Sequence, residues 1–304
     1  MGIGLVMQTN TETGEIEAAL CYPDTPAERA GIQIGDVLVK VDGQSTKDMT
    51  VSEVASYIRS DKTKSVILTL RREDVEEEFD VLVTTEKIEI PVVKSRLLDN
   101  KIGYIQITEF TNGTSGQFRK SFEELNSQGM EGLIIDLRNN PGGLLDAVCD
   151  TLRQILPKGL IVYTEDKHGR KESHSCKGET PIDIPLVVLV NEHSASASEI
   201  FAGAVKDYEV GVLVGMTTFG KGIVQKIFTL WDGSAVKLTV SKYYTPNGIN
   251  IHGTGIEPDI KVTWPEDRDE MISPAQYNDL ELDKWLEEDN QMQGAWEEIT
   301  KAIE

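Results

Sequence analysis

The sequence predicts an α/β protein in which a small β-rich α+β unit precedes a larger layered domain. Between residue 1 and about residue 72, short strand-like runs and glycine turns surround two short helical segments. From about residue 101, apolar runs of strand length alternate with amphipathic helical stretches, which is the order of an α/β layered domain. The 304 residues are 39% hydrophobic and 27% charged, enough to bury more than one core.

Local signals predict each element of the first unit. Thr25, Pro26 and Glu28 stand in capping-box order and start a short helix that stops at Gly31. Val51, Val54, Ala55 and Ile58 form one stripe of a second helix. In chain order, the predicted elements are a strand at 2–7, the first helix, a strand at 35–41 ended by a turn at 42–43, the second helix at 50–60 and a strand at 65–71. Residues 73–80 are interpreted as a hairpin end, because strand character resumes at 81–83.

The larger domain is predicted from buried strands and amphipathic helices. Its strands at 132–137 and 185–190 are continuously apolar, which is typical of strands buried on both faces. Phe118, Phe122 and Leu125 are expected to point inward from a helix. The predicted strands are 101–108, 132–137, 185–190 and 211–215, the helices are 116–128, 144–156 and 196–208, and a hairpin joins 223–231 to 235–243 across Asp232, Gly233 and Ser234.

Charge and cysteine content exclude several classes of protein. The net charge of −21 argues against nucleic-acid binding, which needs clustered Lys and Arg. Residues 266–304 carry 13 acids and 3 bases, so we expect a solvated helical face or a flexible extension. Three distant cysteines, Cys21, Cys149 and Cys176, have no disulfide or metal spacing and are interpreted as small buried residues. We predict neither a metal nor another cofactor.

The beginning of the sequence carries little information about the compartment. No apolar run is long enough to span a membrane, and no signal peptide is visible. Met1 leads directly into the strand-like Gly2–Leu5, which reads like the interior of a domain. We therefore expect a chain trimmed at its N-terminus, whose missing export signal says little about where the protein acts.

A serine and a lysine in unusual local sequences are the candidate catalytic residues. Ser196 lies where a predicted buried strand gives way to a helix, with Ala195 and Ala197 leaving its hydroxyl uncrowded. Lys221 lies between Gly220 and Gly222. A serine becomes a nucleophile when a base removes its proton, and a lysine can be that base when apolar burial favours its neutral form. Taken singly, each residue has an alternative interpretation: Ser196 as a helix cap and Lys221 as a surface lysine.

Two further segments could assist such a pair. If residues 221–225 are extended, Lys221 and Gln225 share a face, and the glutamine amide could orient the lysine amine. Gly142 and Gly143 follow a buried strand and leave backbone amides accessible, as in an anion-binding nest. Either glycine amide, together with that of Ala197, is the predicted oxyanion hole, although a plain turn would have the same sequence.

The first 72 residues resemble a PDZ domain in their order of elements and in their glycine-started strand. The resemblance implies that Gly2, Ile3, Gly4 and Leu5 form the loop whose amides hold a peptide's terminal carboxylate. The peptide would then add as a strand beside the helix at 50–60. A small α+β module of another kind is the alternative.

The whole set of motifs resembles the carboxyl-terminal processing peptidases, which are PDZ-containing serine proteases with a Ser–Lys dyad. The resemblance covers roughly residues 2–265 and is carried by five segments: Ser-Ala-Ser-Ala-Ser-Glu at 194–199, Thr-Phe-Gly-Lys-Gly-x-Val-Gln at 218–225, Asp-Leu-Arg-x-Asn-Pro-Gly-Gly at 136–143, Lys-Tyr-Tyr-Thr-Pro-Asn-Gly at 242–248 and Gly-Ile-Glu-Pro-Asp at 255–259. It implies Ser196 as nucleophile, Lys221 as general base and Gln225 as its positioning partner.

The same resemblance implies an architecture and a setting. We expect a PDZ domain over 1–72, a crotonase-like protease core with a β-rich C-terminal part over 73–265, and an acidic helical tail over 266–304. Substrates would be proteins or peptides with apolar C-termini, cut near those ends with the PDZ domain capturing and gating them. The compartment would be the periplasm or cell envelope, with a membrane anchor in the full-length protein. A homodimer and an activating adaptor stay open.

Three alternative functions fit parts of the sequence. His193 stands three residues before Ser196, but a triad needs a carboxylate to orient the imidazole and none is indicated. A PDZ peptide-binding module with an inactive protease-like scaffold would not need Ser196, Lys221 and Gln225, all of which are present. An acyl-CoA enzyme fits the crotonase-like layout but neither the PDZ domain nor the segment at 221–225.

Overall fold

The structure, a computed structural model, describes residues 1–59, 64–231, 233–264 and 281–304. The chain divides into two units, Met1–Ile90 and Pro91–Glu304. The first unit therefore extends beyond residue 72, because the strand Phe79–Thr84 pairs with the strand Ser65–Arg71 as the second half of a hairpin. Ser60 and Asp232 lie outside the described residues, as does the stretch 265–280.

The first unit is an antiparallel sheet with two short helices. Its elements in chain order are β1 (Leu5–Thr9), β2 (Ile16–Cys21), α1 (Pro26–Arg29), β3 (Val37–Val41), β4 (Gln44–Ser45), α2 (Val51–Ile58), β5 (Ser65–Arg71) and β6 (Phe79–Thr84). The sheet order is β1-β2-β3-β5-β6, with β4 paired to β3. Val54 and Ile58 of α2 pack with Leu38, Leu68 and Leu70 in its core, so the predicted apolar stripe faces inward.

The two helix starts of this unit differ in their capping. At α2, the Thr50 amide donates to Glu53 Oε2 at 2.7 Å, and the Glu53 amide donates to Thr50 Oγ1 at 3.3 Å, which is a capping box. At α1 the predicted capping box is wrong. Thr25 Oγ1 instead donates to the Tyr22 carbonyl at 2.7 Å, and Glu28 accepts from the Asp24 amide at 2.7 Å. Both side chains bond to the residues before the helix, and the Ala27 amide donates to the Ile3 carbonyl at 2.8 Å instead of to a capping side chain.

The second unit contains a mostly parallel sheet and a smaller antiparallel one. Its elements in chain order are β7 (Val93–Leu97), a 3-10 turn (Asp99–Lys101), β8 (Ile102–Ile107), α3 (Thr114–Ser127), β9 (Gly132–Asp136), α4 (Leu145–Leu152), β10 (Gly159–Asp166), β11 (Lys171–Cys176), β12 (Leu186–Val190), α5 (Ala197–Asp207), β13 (Val212–Gly215), β14 (Ile223–Thr229), β15 (Ala235–Tyr244), β16 (Ile260–Lys261), α6 (Leu282–Glu288) and α7 (Asn290–Ile303). The large sheet has the order β16-β13-β12-β9-β8-β7, in which only β7 is antiparallel to its neighbour. The second sheet is β11-β10-β15-β14.

Helices cover both faces of the parallel sheet, as continuously apolar strands require. On one face, Ile135 and Val188 belong to a core that includes Phe118 of α3, Val148 of α4 and Phe201 of α5. On the other face, Ile134 and Leu189 pack with residues of α6 and α7. The carboxyl ends of β9 and β12 lie side by side, because Leu189 pairs with Asp136, and the loops that follow them carry the candidate site.

The C-terminal helices are part of the core. Of the two expectations for this segment, the flexible extension is wrong for the described residues 281–304, which are helical with their acids mostly on a solvated face. Trp285, Met292, Ala295 and Ile299 have no exposed surface and lie against the sheet. The acids occupy the opposite faces of these helices, with the exception of the buried Asp289. An acidic composition therefore concealed an amphipathic pair of helices. Within the described residues, no helix is both long and apolar enough to cross a bilayer.

Candidate active site

Ser196 begins α5 in a backbone conformation that is unusual for a residue with a side chain. Its φ of 56° and ψ of −111° lie outside the helical and extended regions. Two contacts fix the preceding turn to the loop after β9. Ser194 Oγ donates to the Leu137 carbonyl at 2.9 Å, and the Ala195 amide donates to the Asn140 carbonyl at 3.0 Å. Such strain persists where the surroundings enforce it, and it marks Ser196 as a candidate functional residue.

The two candidate oxyanion glycines have different hydrogen bonds. The Gly142 amide donates to Asn140 Oδ1 at 2.8 Å and is therefore occupied. In the part of the chain that the structure describes, the amides of Gly143 and Ala197 donate to no protein group. Gly143, Ser196 and Ala197 also line one cavity. The geometry thus favours Gly143 over Gly142 as the partner of Ala197 in an oxyanion hole.

Gly142 has a steric role at this site. A Cβ atom there would lie 2.8 Å from the Ala197 nitrogen and 2.8 Å from Ser196 Cβ, and the φ of this glycine is +102°. Both distances are shorter than van der Waals contact. Any side chain at position 142 would therefore push against Ser196, the candidate nucleophile, and Ala197, a candidate oxyanion donor.

We expect Gly142→Ala to lower kcat for peptide cleavage by about 10²-fold or more, which is the size of effect seen when one oxyanion donor is lost. Gly169→Ala is the matched control, because Gly169 also has a positive φ, +78°, but a Cβ there meets nothing within 4 Å. Steady-state cleavage of one peptide by both purified variants, with circular dichroism to confirm folding, makes the comparison. Equal activities would contradict the steric role.

Lys221 lies in the loop between β13 and β14, close to Ser196. The Phe219 amide donates to the Ser194 carbonyl at 3.0 Å, which ties this loop to the serine turn. Lys221 and Ser196 line a cavity of about 290 Å³ that also includes Gln225. Within residues 1–59, 64–231, 233–264 and 281–304, no hydrogen bond joins the Lys221 amine to the Ser196 hydroxyl or to Gln225. The three predicted residues thus share a cavity without direct hydrogen bonds.

Glu199 is a residue of this site that the sequence reasoning missed. Its carboxylate is fully buried and accepts from the amides of Ser196 (2.9 Å), Gly220 (2.7 Å) and Lys221 (2.8 Å). Thr218 Oγ1 donates to it as well, at 2.7 Å. One carboxylate therefore joins the backbone of the candidate nucleophile to that of the candidate base. The Ser-x-x-Glu spacing of a capping box at 196–199 was the signal that could have revealed it.

Tyr243 closes the same cluster from β15. Its hydroxyl donates to the Ser196 carbonyl at 3.1 Å. Burial raises the pKa of Tyr243 well above its usual value, and the charge of Glu199 raises the pKa further. The hydroxyl therefore stays protonated and acts as a donor rather than as a base.

A buried ionic network supports the start of the loop that carries Gly142 and Gly143. Arg138 follows β9, and its guanidinium donates to Asp136 Oδ2 at 2.8 Å and to Asp289 Oδ1 at 2.9 Å. Burial by itself would lower the pKa of Arg138, but the charges of Asp136 and Asp289 raise it above its ordinary value. Tyr104 adds a hydrogen bond to Asp136 at 2.8 Å. The C-terminal helices thus hold the segment that leads to Gly142 and Gly143.

His193 is mostly exposed and takes no part in this cluster. Its Nε2 atom lies 3.9 Å from Glu192 Oε1. Across the described ranges, no group of three or more His, Cys, Asp or Glu side chains is arranged to hold a metal ion.

The predicted carboxylate-binding loop lies in the first unit. Gly2 pairs with Glu86, and the Gly2 amide is occupied because it donates to the Glu86 carbonyl at 2.8 Å. Among the described residues, the amides of Ile3 and Gly4 have no such acceptor. A cavity of about 590 Å³ is bordered by all four loop residues and by Val51, Ala55 and Ile58 of α2. Arg59 and Lys87 lie at the same cavity and add positive charge.

Comparison with known proteins decides the family. Residues 101–262 match the sequence profile of peptidase family S41. The chain belongs to peptidase family S41. Residues 19–72 match a PDZ domain profile, which does not reach the loop at residues 2–5. The predicted mixed α/β protein with a PDZ domain and a serine protease domain is confirmed.

Named S41 relatives are processing proteases. The chain is 40% identical over 268 residues to a carboxyl-terminal-processing protease of Synechocystis sp., covering 87% of this chain and 63% of that protein. It is 39% identical over 264 residues to the carboxy-terminal processing protease CtpA of Bacillus subtilis, covering 86% of this chain and 56% of the relative. The chain therefore spans less than two thirds of the length of these relatives.

A solved S41-type structure has a similar fold. The photosystem II D1 C-terminal processing protease superimposes with a TM-score of 0.54 at 33% identity, over 86% of this chain and 72% of that one. A second structure, a putative S41 protease from Bacteroides fragilis, has a TM-score of 0.51 at 18% identity and supports the fold alone.

Proposed function

We propose that this chain is the PDZ and protease part of a serine endopeptidase that cuts polypeptides near their C-termini. The observation that carries the proposal is the common cavity of Ser196, Lys221 and the free amides of Gly143 and Ala197. Family membership adds the reaction class, and the names of the relatives add processing at the carboxyl terminus. The protease unit would have a crotonase-like core, with the sheet of β10, β11, β14 and β15 as its β-rich part.

The proposed chemistry is acyl transfer through Ser196. The Lys221 amine takes the proton of the Ser196 hydroxyl while the oxygen bonds to the scissile carbonyl carbon. The amides of Gly143 and Ala197 stabilise the oxyanion. Lys221 then gives the proton to the leaving amine as the carbon–nitrogen bond breaks. Water then attacks the carbonyl carbon of the resulting ester. Lys221 takes a proton from that water and gives it to the Ser196 oxygen as the ester bond breaks.

Glu199 and Gln225 would position the pair in this mechanism. Glu199 bonds to the backbone amides of both Ser196 and Lys221, so it sets their separation without touching the substrate. Gln225 is exposed at the cavity and could orient the lysine amine only after a movement of side chains. Because no hydrogen bond joins Lys221 to Ser196 among the described residues, the proposed active state requires the lysine side chain to approach the hydroxyl.

The PDZ unit would capture substrates by their ends. Val51, Ala55 and Ile58 supply an apolar surface for a C-terminal side chain, and Arg59 and Lys87 supply charge for the carboxylate. Substrates with apolar C-termini fit this cavity, and their binding would shift the protease towards its active state. We also propose an extracytoplasmic site of action, with a membrane anchor, and leave a homodimer or an activating adaptor as partners to be sought.

A fluorophosphonate probe and a defined substrate test the proposal together. The chain should form a covalent adduct at Ser196 and cleave an unfolded protein that ends in apolar residues. Amidation of the substrate's C-terminus should slow cleavage, because the PDZ unit would lose its charged ligand. Ser196→Ala should show neither adduct nor cleavage.

The alternative is a PDZ binding module with an inactive scaffold. Peptide binding without any adduct or cleavage by the wild-type chain would favour that alternative and overturn the protease assignment. Mass spectrometry of the adduct and of the products distinguishes these results.

A further inference from the structure

The hairpin beside the candidate active site is basic, although the protein as a whole is acidic. Residues 219–243 contain four lysines and one acid, Asp232, in a chain whose net charge is −21. The lysines are Lys221, Lys226, Lys237 and Lys242. Asp232 lies outside the described residues. Positive charge is thus concentrated at a surface that borders Ser196.

The hairpin has two faces, and Lys226 and Lys237 lie on different ones. Residues directly opposite each other in an antiparallel pair point to the same side. Gln225 pairs with Thr239 and Ile227 pairs with Lys237, so Gln225 and Lys237 share a face. Lys226 pairs with Leu238 on the other face, where its amine lies 5.9 Å from the centre of the Phe228 ring.

Lys237 lies on the cavity side. It lines the same 290 Å³ cavity as Ser196 and Lys221, whereas Lys226 does not. Within the described residues, Lys237 forms no ion pair and no side-chain hydrogen bond. Lys206, by contrast, is 2.9 Å from Asp259. An ammonium group that has no counter-charge among the described residues and lines the same cavity as Ser196 can bind an anion supplied by a substrate.

We propose that Lys237 binds a carboxylate of the polypeptide substrate close to the scissile bond and so sets the cleavage preference of the enzyme. The proposal rests on the protease function inferred above. The carboxylate could belong to an Asp or Glu side chain or to the substrate's own C-terminus. Both present the same group to the ammonium, and the experiment below distinguishes them.

The physical basis is a charge-assisted hydrogen bond in a partly apolar cavity. A lysine offers three donors to a carboxylate, and such bonds are shorter and stronger than neutral ones. Leu145, Ile200 and Val224 also line the cavity and reduce its access to water. The net charge of the protein is negative and repels an acidic peptide. Lys237 therefore gives the cavity a local preference for a carboxylate that the overall charge opposes. The preference should weaken as salt concentration rises.

The test uses peptides that differ by one charge. A neutral parent peptide is first cleaved to locate its scissile bond. Each peptide position beside that bond is then changed in turn to Glu and to Gln, with the C-terminus amidated throughout. A second pair has the same cleaved sequence with a free or an amidated terminus two or three residues beyond the scissile bond. We expect one Glu position, or the free terminus, to raise kcat/KM by about five- to tenfold over its neutral match.

Variants of the hairpin decide whether Lys237 is responsible. Lys237→Gln should reduce that ratio to about one, and Lys237→Arg should retain it. Lys237→Glu should reverse it in favour of a Lys-containing peptide. Lys226→Gln, which changes a lysine on the opposite face of the same hairpin, should keep both the ratio and the basal activity.

Each outcome bears on one proposal. An unchanged ratio in Lys237→Gln, or no acid preference in a wild-type chain that cleaves the neutral peptide, overturns the role of Lys237 and leaves the protease function standing. Failure of the wild-type chain to cleave any peptide contradicts the protease function instead. If Lys237→Gln cleaves too slowly to assay, peptide binding replaces cleavage as the readout. The affinities of the acidic peptide and its neutral match are then compared in Ser196→Ala and in the double variant Ser196→Ala/Lys237→Gln. An equal affinity ratio in the two proteins overturns the role of Lys237.

Discussion

Replacing Lys221 by methionine is expected to lower kcat for peptide cleavage by about 10²- to 10⁴-fold, the contribution typical of a general base. Methionine keeps the length and apolar stem of the side chain but cannot accept a proton. Wild-type kcat/KM should rise with pH, since a base acts only when it is unprotonated. The residual activity of the variant should lack that rise. Steady-state rates across a pH series measure both effects.

The matched control for this experiment is Lys226→Met. Lys226 does not line the cavity and lies on the face of the hairpin opposite Lys237, so its replacement should leave the cleavage rate and its pH profile unchanged. Labelling by the fluorophosphonate should fall in Lys221→Met and persist in Lys226→Met. If Lys221→Met retained a rate within about tenfold of wild type, the base would have to be sought elsewhere.

The largest effect on stability is expected from Arg138→Met. Its guanidinium is 3% exposed and separates two carboxylates, Asp136 and Asp289, that have no exposed surface. Without the cation, two like charges would stay buried with fewer hydrogen bonds. Removing one partner from such a network costs about 3–5 kcal/mol of unfolding free energy. Urea unfolding followed by tryptophan fluorescence reports the loss, because Trp285 lies within this core.

Arg153→Met provides the comparison for an exposed ion pair. Arg153 contacts Asp150, and the two side chains are 38% and 55% exposed. Exposed pairs contribute about 0–1 kcal/mol, so this variant should unfold at nearly the wild-type urea concentration. A loss of stability in Arg138→Met no larger than in Arg153→Met would mean that the buried network contributes little. Because Arg138 precedes the oxyanion loop, we also expect its variant to lose peptide cleavage.

Much of the secondary structure was predictable because it depends on local patterns. The apolar strands at 132–137 and 185–190 could only be buried on both faces, and they are β9 and β12 of the parallel sheet. The helices at 116–128 and 196–208 correspond to α3 and α5 within a few residues. The predicted helix at 144–156 is shorter, since α4 ends at Leu152 and a turn follows. Element ends depend on caps and packing, which are weaker signals.

Contacts between segments far apart in the sequence were harder to predict. Thr25 and Thr50 both precede a helix with a glutamate three residues on, yet only Thr50 forms a capping box. The acids of the last 39 residues masked the buried stripe of Trp285 and Ile299, because composition averages over both faces of a helix. The proposed role of Glu199 rests on its bonds to Gly220 and Lys221, which lie more than 20 residues further along the chain. The proposed role of Lys237 rests on which lysine of the hairpin lines the cavity.

The amino-acid sequence by itself determined the family, the order of strands and helices, and the residue types that could carry acyl transfer. Those properties depend on local motifs and on the period of apolar residues, which the chain carries wherever it folds. Only the tertiary structure decided that the Gly142 amide is occupied while that of Gly143 donates to no group among the described residues, that Glu199 joins the loops of Ser196 and Lys221, and that Lys237 borders their cavity. Each of these depends on atoms that meet only after the strands have aligned and the side chains have packed.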